Sequence, residues 1–573
     1  MKPLLTDRAQ LLARLAQTDE FDLAIIGGGA TGLGTAVDAA ARGLKVVLLE
    51  AHDFAKGTSS RSTKLIHGGV RYLAQGHLPL VWEALHERQR LLSNAPHLAH
   101  AMPFVMPAYR RIDQWLYGIG LKLYDLMAGR AGLGPTRFLS RTQTLAAVPG
   151  VRAEHLVGGV QYWDGQFDDA RLALSLARTA ASLGALVLNH MPVTGLSMDG
   201  GTGKINGLTC QDQETGELHR LKARCVVNAT GVWVDDIAAM TVKRKAKNAE
   251  VRVAHAVRPS QGVHLVVDAS FWPGDSALLV PHTQDGRVLF AVPWQGKVLL
   301  GTTDTPKQAV DWEPQALESE IDQILQEAGR YLAQQPSRQD VSSVWAGLRP
   351  LAASAPPAAD RHEDGTESVG GSKPTPEATQ KVSREHTITV SSQGLVSVTG
   401  GKWTTYRAMA ADVIQAIRGA QLLSLTQEDV TQQIRLWGAP DASDTDALAL
   451  GAGRGYGTDT ALLKDMPGAA NYLHPQLSEG MVRFAARYEY ARTVEDVLAR
   501  RNRMLFLDAA AARAIAPQVA EILTSETGVS PQLEAFDGLA AGYQLAELAE
   551  QDGIDEPDQQ EKPGKLNPET PAG

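Results

Sequence analysis

The stretch FDLAIIGGGATGLGTAVDAAARGLKVVLLE, residues 21–50, decides the fold of the N-terminal part of the chain. Its first apolar run, residues 21–27, ends in glycines and predicts a buried parallel strand. Residues 31–44 show helical periodicity with an alanine-rich packing face, and residues 45–50 form a second apolar run. This order predicts a βαβ unit with its crossover helix.

The glycines of this stretch fit the G-x-G-x-x-G pattern of a dinucleotide-binding turn. Gly27 allows the tight turn, Gly29 lets a pyrophosphate approach the backbone, and Gly32 lets the helix pack close to the strand. Amide groups at the start of the helix, at Ala30 and Thr31, are expected to face the phosphates. The alternative is a glycine-rich turn in an unrelated α/β protein.

A carboxylate stands where the ribose of a bound nucleotide is expected. Glu50 ends the second strand, 18 residues after Gly32, and can accept hydrogen bonds from both ribose hydroxyls. Ala51 follows it and is assigned to the same site. Strand, helix, second strand and acid together predict dinucleotide binding.

The nucleotide is predicted to be FAD rather than a nicotinamide. A nicotinamide domain usually continues with repeated βα units, whereas residues 51–69 read as a polar loop. A second strand that ends in small residues, VVNATG, recurs at residues 226–231 and brings Thr230 and Gly231 to the site. Because FAD lies extended through its protein, it requires several such close approaches of the backbone.

The loop TSSRSTKLIHGGVRYL, residues 58–73, carries many hydrogen-bond donors and little apolar bulk. We expect hydroxyls and amides at its start to bind the pyrophosphate, Lys64 to lie near the electron-rich edge of the flavin, and the backbone at His67 and Gly68 to pass the isoalloxazine ring. The residues at its start are Thr58, Ser59 and Ser60. The alternative is a solvated surface loop.

Composition excludes several classes of protein. A length of 573 residues predicts two or three domains. A net charge of −9 argues against a nucleic-acid partner. Cys210 and Cys225 lack metal-type spacing, so no metal is expected. The N-terminus has no apolar signal region, and no run of about 18 apolar residues that would span a bilayer occurs.

The fold class predicted is α/β, with a Rossmann-type FAD domain, a mixed or antiparallel substrate sheet and a C-terminal helical domain. The predicted boundaries are a lead-in at 1–20, an FAD-binding domain at 21–250 and 385–424, an interleaved substrate-binding domain at 251–354, a flexible loop at 355–384, a helical domain at 425–545 and a disordered tail at 546–573.

Several longer motifs resemble one family, the FAD-dependent glycerol-3-phosphate dehydrogenases, which belong to the D-amino-acid-oxidase-like flavoproteins. They are the run from IIGGGATG to KLIHGGVRYL (25–73), YWDGQFDDARL (162–172), VVNATGVW (226–233), VPW (292–294), GTTDT (301–305), GLRPL (347–351) and GGKWTTYR (400–407). The resemblance implies oxidation of sn-glycerol 3-phosphate by non-covalent FAD, with electrons passed to membrane ubiquinone. It also implies a peripheral place on the inner face of the cytoplasmic membrane and a possible homodimer.

The substrate is then a small dianion with a secondary alcohol, so the site needs a cationic clamp and a base. His264 is the candidate base because a neutral imidazole has a suitable pKa, although a histidine in a strand is more often structural. Tyr72 is expected to hydrogen-bond the substrate, and Lys402 to lie near the flavin N1 and O2 atoms. The candidate clamp residues are Arg71, Arg349 and Arg384.

The predicted cofactor site is completed by residues of the loop and of the later motifs. They are Thr63, Leu65, Val193, Gly347, Gly401, Lys402, Trp403 and Thr404.

Residues 109–130 place apolar side chains at helical spacing between basic residues. With Trp115 and Tyr117 at headgroup level, this pattern fits an in-plane helix on an anionic lipid surface. The alternative is an amphipathic helix that faces the core.

Two other functions are weighed against the dehydrogenase. Glycerol-3-phosphate oxidases, which use oxygen, share most of these motifs. A flavin-binding scaffold without turnover would not need Arg71, Arg349 and Lys402.

Overall fold

The computed structural model describes residues 6–74, 76–242, 256–281, 283, 288–353, 386–441 and 454–545. The predicted class is confirmed: a doubly wound FAD-binding domain, a mixed sheet and a C-terminal helical region. The predicted flexible loop, residues 355–384, and the predicted tail, residues 546–573, lie outside the described residues.

Twenty strands are found in the described residues. They are β1 Phe21–Ile26, β2 Val46–Leu49, β3 Leu65–Ile66, β4 Ala99–Ala108, β5 Arg137–Ser140, β6 Gly158–Phe167, β7 Leu186–Leu188, β8 Val193–Met198, β9 Ile205–Gln211, β10 Leu218–Asn228, β11 Val257–Asp268, β12 Ala277–Val280, β13 Leu289–Trp294, β14 Lys297–Gly301, β15 Thr305–Pro306, β16 Val341–Ala352, β17 Thr387–Val390, β18 Leu395–Thr399, β19 Tyr472–His474 and β20 Leu477–Ser478.

The α-helices of the same residues alternate with the early strands and dominate the C-terminal region. They are α1 Arg8–Gln17, α2 Ala30–Ala41, α3 Val70–Ala74, α4 Leu78–Asn94, α5 Arg111–Ala128, α6 Arg141–Ala147, α7 Asp169–Ser182, α8 Val234–Val242, α9 Glu318–Tyr331, α10 Tyr406–Gly419, α11 Thr460–Lys464, α12 Glu479–Tyr488, α13 Met504–Leu507, α14 Ala509–Thr527 and α15 Leu533–Ala541.

The first sheet forms the cofactor-binding domain. Its main path runs β17-β18-β10-β1-β2-β7, with β1 parallel to both β2 and β10. Along β1, Leu23 and Ile25 enter the core on one face, whereas Ala24 and Ile26 enter the core on the other. A strand buried on both faces explains the continuous apolar run in the sequence.

The second sheet has ten strands, and its main path is β15-β11-β14-β13-β12-β4-β6-β3. The long strands β11 and β16 pair antiparallel, with Gly262 opposite Gly347 and His264 opposite Trp345. Strands β3 to β6, which the sequence places in the FAD-binding range, join this sheet because β4 pairs with β12. The domain boundaries themselves stay a prediction.

The C-terminal region packs against the second sheet. A π-helix at Asp496–Arg501 leads through Arg503, in a left-handed conformation, into α13. Phe506 of α13 and Leu498 of the π-helix share a core with Trp345 of β16. The hydroxyl of Ser343 on β16 donates to the Leu505 carbonyl at 2.8 Å, which fastens α13 to this strand.

Candidate active site

The fingerprint turn is closed to any side chain. Gly27 has φ +108°, and a Cβ there would lie 2.6 Å from the Ala229 carbonyl oxygen. A Cβ on Gly32 would lie 2.0 Å from the Gly27 carbonyl oxygen. The turn between β1 and α2 therefore requires glycine for its conformation and for its close contacts.

Ser59 stands at the start of α2. Its hydroxyl accepts a hydrogen bond from the Ala30 amide at 2.9 Å, and its carbonyl accepts one from the Trp403 indole at 2.8 Å. The loop, the fingerprint and the GGKWTTYR motif therefore meet at this residue. Thr58 donates its hydroxyl to the Leu348 carbonyl at 2.6 Å, which ties the loop to β16 as well.

The Glu50 carboxylate is hydrogen-bonded by two backbone amides, one of which belongs to the fingerprint turn. The carboxylate accepts from the Gly28 amide at 2.6 Å and from the His52 amide at 2.9 Å. Burial raises the pKa of this carboxyl, whereas the two amides favour its charged form. Glu50 borders the same cavity as the fingerprint, in the position from which a carboxylate can reach a ribose.

A cavity of about 550 Å³ connects the fingerprint with the second sheet. This volume is in the range of small-molecule and cofactor sites, about 300–1,000 Å³. Most of the residues predicted from the sequence border it: Gly27, Gly29, Ala30, Thr31, Glu50, Ala51, Thr58, Ser59, Thr63, Leu65, His67, Val193, Thr230, Gly231, His264, Gly347, Arg349, Gly401, Lys402, Trp403 and Thr404.

Of the predicted residues whose side chains the structure describes, five do not border the cavity, namely Gly32, Ser60, Lys64, Gly68 and Tyr72. Gly32 still acts on the site through its contact with Gly27. The amide of Gly68 donates away from it, to the Tyr124 hydroxyl at 2.8 Å. The Tyr72 ring lies beneath Lys402, whose Nζ is 3.8 Å from the ring centroid.

Lys64 is placed differently from the sequence expectation. Its ammonium donates to the Asp169 carboxylate at 2.8 Å and to the Ser60 carbonyl at 2.7 Å, and its side chain is fully buried. Burial lowers the pKa of Lys64 to about 7, against the attraction of Asp169. Lys64 thus lies behind the cavity wall instead of at a flavin edge, because its buried charge requires a paired carboxylate.

The structure does not describe the side chains of two of the three candidate clamp arginines. Arg384 lies outside the described residues, and the side chain of Arg71 is not described although its backbone is in α3. The structure therefore brings Arg349, of the three, to the cavity.

Arg349 is oriented by the turn after β14. Its guanidinium donates to the Thr302 hydroxyl at 3.1 Å and to the Thr303 carbonyl at 3.0 Å, and lies 3.4 Å from the Asp304 carboxylate. A Cβ on Gly262 would lie 2.3 Å from this guanidinium, so the glycine on β11 makes room for it. A planar fork fixed in this way can bind a phosphate or carboxylate.

His264 forms part of the wall between the cavity and the second sheet. Its Nε2 lies 3.0 Å from the Thr63 hydroxyl, and its ring is stacked on Trp345. Burial lowers the pKa of His264 well below its usual value, and the charges of Lys64 and Arg349 act in the same direction. These effects favour the neutral imidazole, whose ring nitrogen can accept a proton, and they also make His264 a weaker base than a free histidine, which counts against the suitable pKa expected from the sequence.

Two tryptophans that are not among the predicted site residues also border the cavity. Trp233 and Trp312 stack at a centroid distance of 3.9 Å, and His52 meets Trp312 edge-on at 4.2 Å. The next residue, Glu313, pairs with Arg61 at 2.5 Å and with Lys56 at 3.0 Å. Through these contacts the segment 307–317, which follows the second sheet in sequence, packs against the FAD-binding domain.

Another group of side chains has the composition of a metal site, but its carboxylates already form ion pairs. Asp53, His190 and Asp496 place one ligand atom each within 4.8 Å of one another, and all three are buried. However, Arg500 donates to both carboxylates, and Arg501 also pairs with Asp53. The cluster therefore joins the C-terminal region to the FAD-binding domain through ion pairs.

The donor set of the cavity fits FAD. Gly27 and Gly29 border the cavity without side chains, so a pyrophosphate can approach the backbone there, and Glu50 borders the same cavity where a ribose can reach it. The Gly27 amide itself donates to the Leu49 carbonyl at 2.9 Å. Further along, Gly347 and Gly401 expose backbone where a flat ring system needs close approach, and Lys402 supplies a cation near it. An elongated cofactor with a ribose, then a pyrophosphate in its middle, and a flat ring at its far end matches this order.

Helix α5 presents an apolar face to solvent. Gly118, Leu121, Tyr124 and Ala128 bury the opposite face. The exposed face carries Ile112, Trp115, Leu116, Ile119, Leu123 and Leu126, which are between 45% and 77% exposed. The neighbouring Phe138, 5.4 Å from Trp115 between ring centroids, extends it. None of the helices in the described part of the chain has the length and apolar character needed to cross a bilayer.

Two family models match the chain. Residues 22–407 match the FAD-dependent oxidoreductase model, DAO, and residues 429–533 match the C-terminal domain of alpha-glycerophosphate oxidase. The first match covers more than half of the chain and includes both sheets.

Among similar proteins, a mitochondrial glycerol-3-phosphate dehydrogenase of Arabidopsis thaliana is 39% identical, over 90% of this chain and 85% of that protein. A mitochondrial glycerol-3-phosphate dehydrogenase of Homo sapiens is 38% identical, over 90% of this chain and 72% of that protein. The crystal structure of the glycerol-3-phosphate dehydrogenase of Bacillus halodurans complexed with FAD superposes with a TM-score of 0.70 at 29% identity, covering 97% of this chain and 99% of that one.

Proposed function

Because the chain belongs to the FAD-dependent oxidoreductase family, and within it to the glycerol-3-phosphate dehydrogenases, we propose that it oxidises sn-glycerol 3-phosphate to dihydroxyacetone phosphate and passes the electrons to ubiquinone. One observation carries this proposal. The nucleotide fingerprint, His264, Arg349 and Lys402 border a single cavity.

The chain's own residues divide the chemistry of the site. Arg349 binds the phosphate of the substrate through its planar fork, which the turn at Thr302 and Thr303 already orients. His264 accepts the proton of the C2 hydroxyl at Nε2, the ring nitrogen that faces Thr63 on the cavity wall. Bound FAD supplies the acceptor for the hydride that leaves C2 with its electron pair.

Lys402 provides charge where the cofactor becomes more negative. Its ammonium lies over the Tyr72 ring and borders the cavity. The contact with the Tyr72 ring orients this cation beside the cavity, where it can stabilise negative charge on a bound ring system. We therefore assign Lys402 to the flavin and Tyr72 to the support of Lys402. We also infer that FAD is held non-covalently.

The exposed apolar face of α5 supports the proposal that the electron acceptor is lipid-soluble. Its apolar side chains and the tryptophan at their centre are suited to the boundary between headgroups and acyl chains. We infer that the protein docks by this face as a peripheral protein on the inner side of the cytoplasmic membrane, where ubiquinone is available. A homodimer stays a prediction.

A second candidate function is a glycerol-3-phosphate oxidase that passes electrons to oxygen. The match of residues 429–533 to the C-terminal domain of alpha-glycerophosphate oxidase favours it. The two candidates share the reductive half-reaction and differ in the acceptor.

Stopped-flow spectroscopy of the purified holoenzyme tests both steps. Anaerobic sn-glycerol 3-phosphate should bleach the flavin absorbance within a turnover, and a ubiquinone analogue should restore it faster than dissolved oxygen. Faster recovery with oxygen would assign the protein to the oxidases. A flavin that stays oxidised with sn-glycerol 3-phosphate would refute the proposed substrate.

A further inference from the structure

The inner side of the loop Thr58–Lys64 is bound by a residue of the C-terminal region. The guanidinium of Arg503 donates to the Ser60 carbonyl at 2.6 Å, and the Lys64 ammonium donates to the same oxygen at 2.7 Å. Asp169 lies between the two cations, 2.8 Å from Lys64 and 3.4 Å from Arg503. All three charged side chains are fully shielded from solvent.

The cluster of Lys64, Asp169 and Arg503 also fixes the next residues of the loop. Asp169 accepts from the Ser62 hydroxyl at 2.7 Å and from the Ser62 amide at 3.2 Å. Residue 63 follows directly, and its hydroxyl contacts the His264 imidazole at 3.0 Å. The loop is therefore fixed from below by the cluster, while Ser59 and Thr63 border the cavity above it.

A second path joins the same C-terminal segment to His264. The Arg503 guanidinium lies 4.3 Å from the Phe506 ring centroid, and Phe506 meets Trp345 edge-on at 5.3 Å. Trp345 is the ring on which His264 is stacked. Arg503 thus contacts the loop on one side of the imidazole directly and reaches Trp345 on the other side through Phe506.

We propose that Arg503 is a positioning residue of the active site, through which the C-terminal region sets the place of the loop Thr58–Lys64 and of His264. A buried guanidinium needs acceptors, and the carbonyl of a loop that binds the cofactor is one of those it has here. Its left-handed backbone, φ +74°, directs it inward at the break between the π-helix and α13. This assigns a role in the reaction to a region that does not border the cavity.

The inference rests on the proposed function, so its test compares variants with the wild type. Arg503→Met and Arg503→Lys are measured beside Arg178→Met and Arg178→Lys. Arg178 is the matched control because it is also buried and joins the FAD-binding domain to the C-terminal region, through Asp459 at 2.6 Å, away from the loop. Both pairs should lower the melting temperature.

Only the Arg503 variants should change the rate of flavin reduction. With FAD bound, Arg503→Met should reduce its flavin about tenfold or more slowly at saturating sn-glycerol 3-phosphate, because misplacement by about 1 Å can reduce rates by about a hundredfold. Arg503→Lys, which keeps a cation near the Ser60 carbonyl, should recover part of the rate. The Arg178 variants should stay within about twofold of the wild type.

Visible circular dichroism of the bound flavin gives a second measure that needs no substrate. The flavin bands should change in Arg503→Met and stay as in the wild type in Arg178→Met. If the wild type is not bleached by sn-glycerol 3-phosphate, the proposed function fails while this comparison still decides the positioning role. Unchanged bands and rate in Arg503→Met, or equal losses in both pairs, would overturn the inference. If Arg503→Met does not fold, the same comparison between the two lysine variants decides it.

Discussion

The His264 imidazole lies nearly parallel to the Trp345 indole, with a centroid distance of 4.2 Å and an interplanar angle of 17°. The two residues face each other across β11 and β16, and Thr63 contacts the ring edge from the cavity side. A ring held on one face and at one nitrogen has a fixed orientation. Burial favours its neutral form, so a role as base rests on this fixed orientation at the cavity wall and not on a raised basicity.

Replacing His264 by alanine should slow flavin reduction at saturating substrate by about a hundredfold, the scale of general-base catalysis. FAD should stay bound, because the fingerprint and the loop keep their contacts. Stopped-flow absorbance measures the rate, and His474→Ala, at the C-terminal hairpin strand β19, is the control. A reduction rate equal to that of the wild type would remove His264 as the base.

Arg349→Ala should raise the KM for sn-glycerol 3-phosphate by about ten- to a hundredfold, since a charge-assisted hydrogen-bonded pair contributes about 1.5–3 kcal/mol. Steady-state kinetics with a ubiquinone analogue measure it. Arg338→Ala removes a more exposed guanidinium, paired with Glu318 and Asp322 just before β16, and should leave KM unchanged. Loss of FAD from Arg349→Ala would contradict a role confined to the substrate.

His52 should make stability depend on pH in a defined window. Burial, with Lys56 nearby, lowers the pKa of His52 from 6.5 to about 4. The unfolded chain therefore binds this proton near pH 6.5 and the folded chain only near pH 4, so the folded state loses stability as pH falls between these values. His52→Gln should reduce the loss between pH 7 and pH 5 by about 1–2 kcal/mol, after allowance for its partial exposure.

Urea unfolding of the holoenzyme at the two pH values measures this difference. His155→Gln, which removes an exposed imidazole, should keep the pH dependence of the wild type. Equal pH dependence in His52→Gln and the wild type would show that the imidazole titrates normally in the folded protein.

Gly32→Ala should yield protein with little or no FAD. The added methyl would lie 2.0 Å from the Gly27 carbonyl oxygen, so α2 must move away from the turn that faces the pyrophosphate. The ratio of flavin to protein absorbance measures the loss. Gly120→Ala on α5 is the control, because a Cβ there meets nothing within 4 Å. Full flavin content in Gly32→Ala would mean that the turn is not the pyrophosphate site.

The double variant Trp115→Ser, Leu116→Ser should release the protein from vesicles that contain anionic lipid. These side chains are 62% and 67% exposed, and each loses about 1.5–3 kcal/mol of transfer free energy if it is buried in the bilayer. Vesicle co-sedimentation measures the binding. The pair Leu218→Ser, Val430→Ser removes comparable exposed apolar surface elsewhere. Equal binding of both pairs would refute docking through α5.

The sequence predicted what is local and missed what depends on distant contacts. Adjacent residues predict the βαβ unit and Glu50, whereas His264 and Arg349 are expected from the family resemblance. The side-chain direction of Lys64 was not predictable, because it is set by Asp169, more than a hundred residues later. The Trp233–Trp312 stack likewise joins two segments that have no shared pattern in the sequence.

The strand order has a consequence for how the protein is made. The fingerprint is translated early, but its strand β1 pairs with β10, which is translated about two hundred residues later. The loop at Ser59 also needs its hydrogen bonds from Trp403 and Arg503, which are translated later still. A nascent chain therefore cannot complete its flavin cradle until almost all of it has been translated. Cofactor loading belongs to the end of biosynthesis, and truncated chains should accumulate as apoprotein that chaperones must handle.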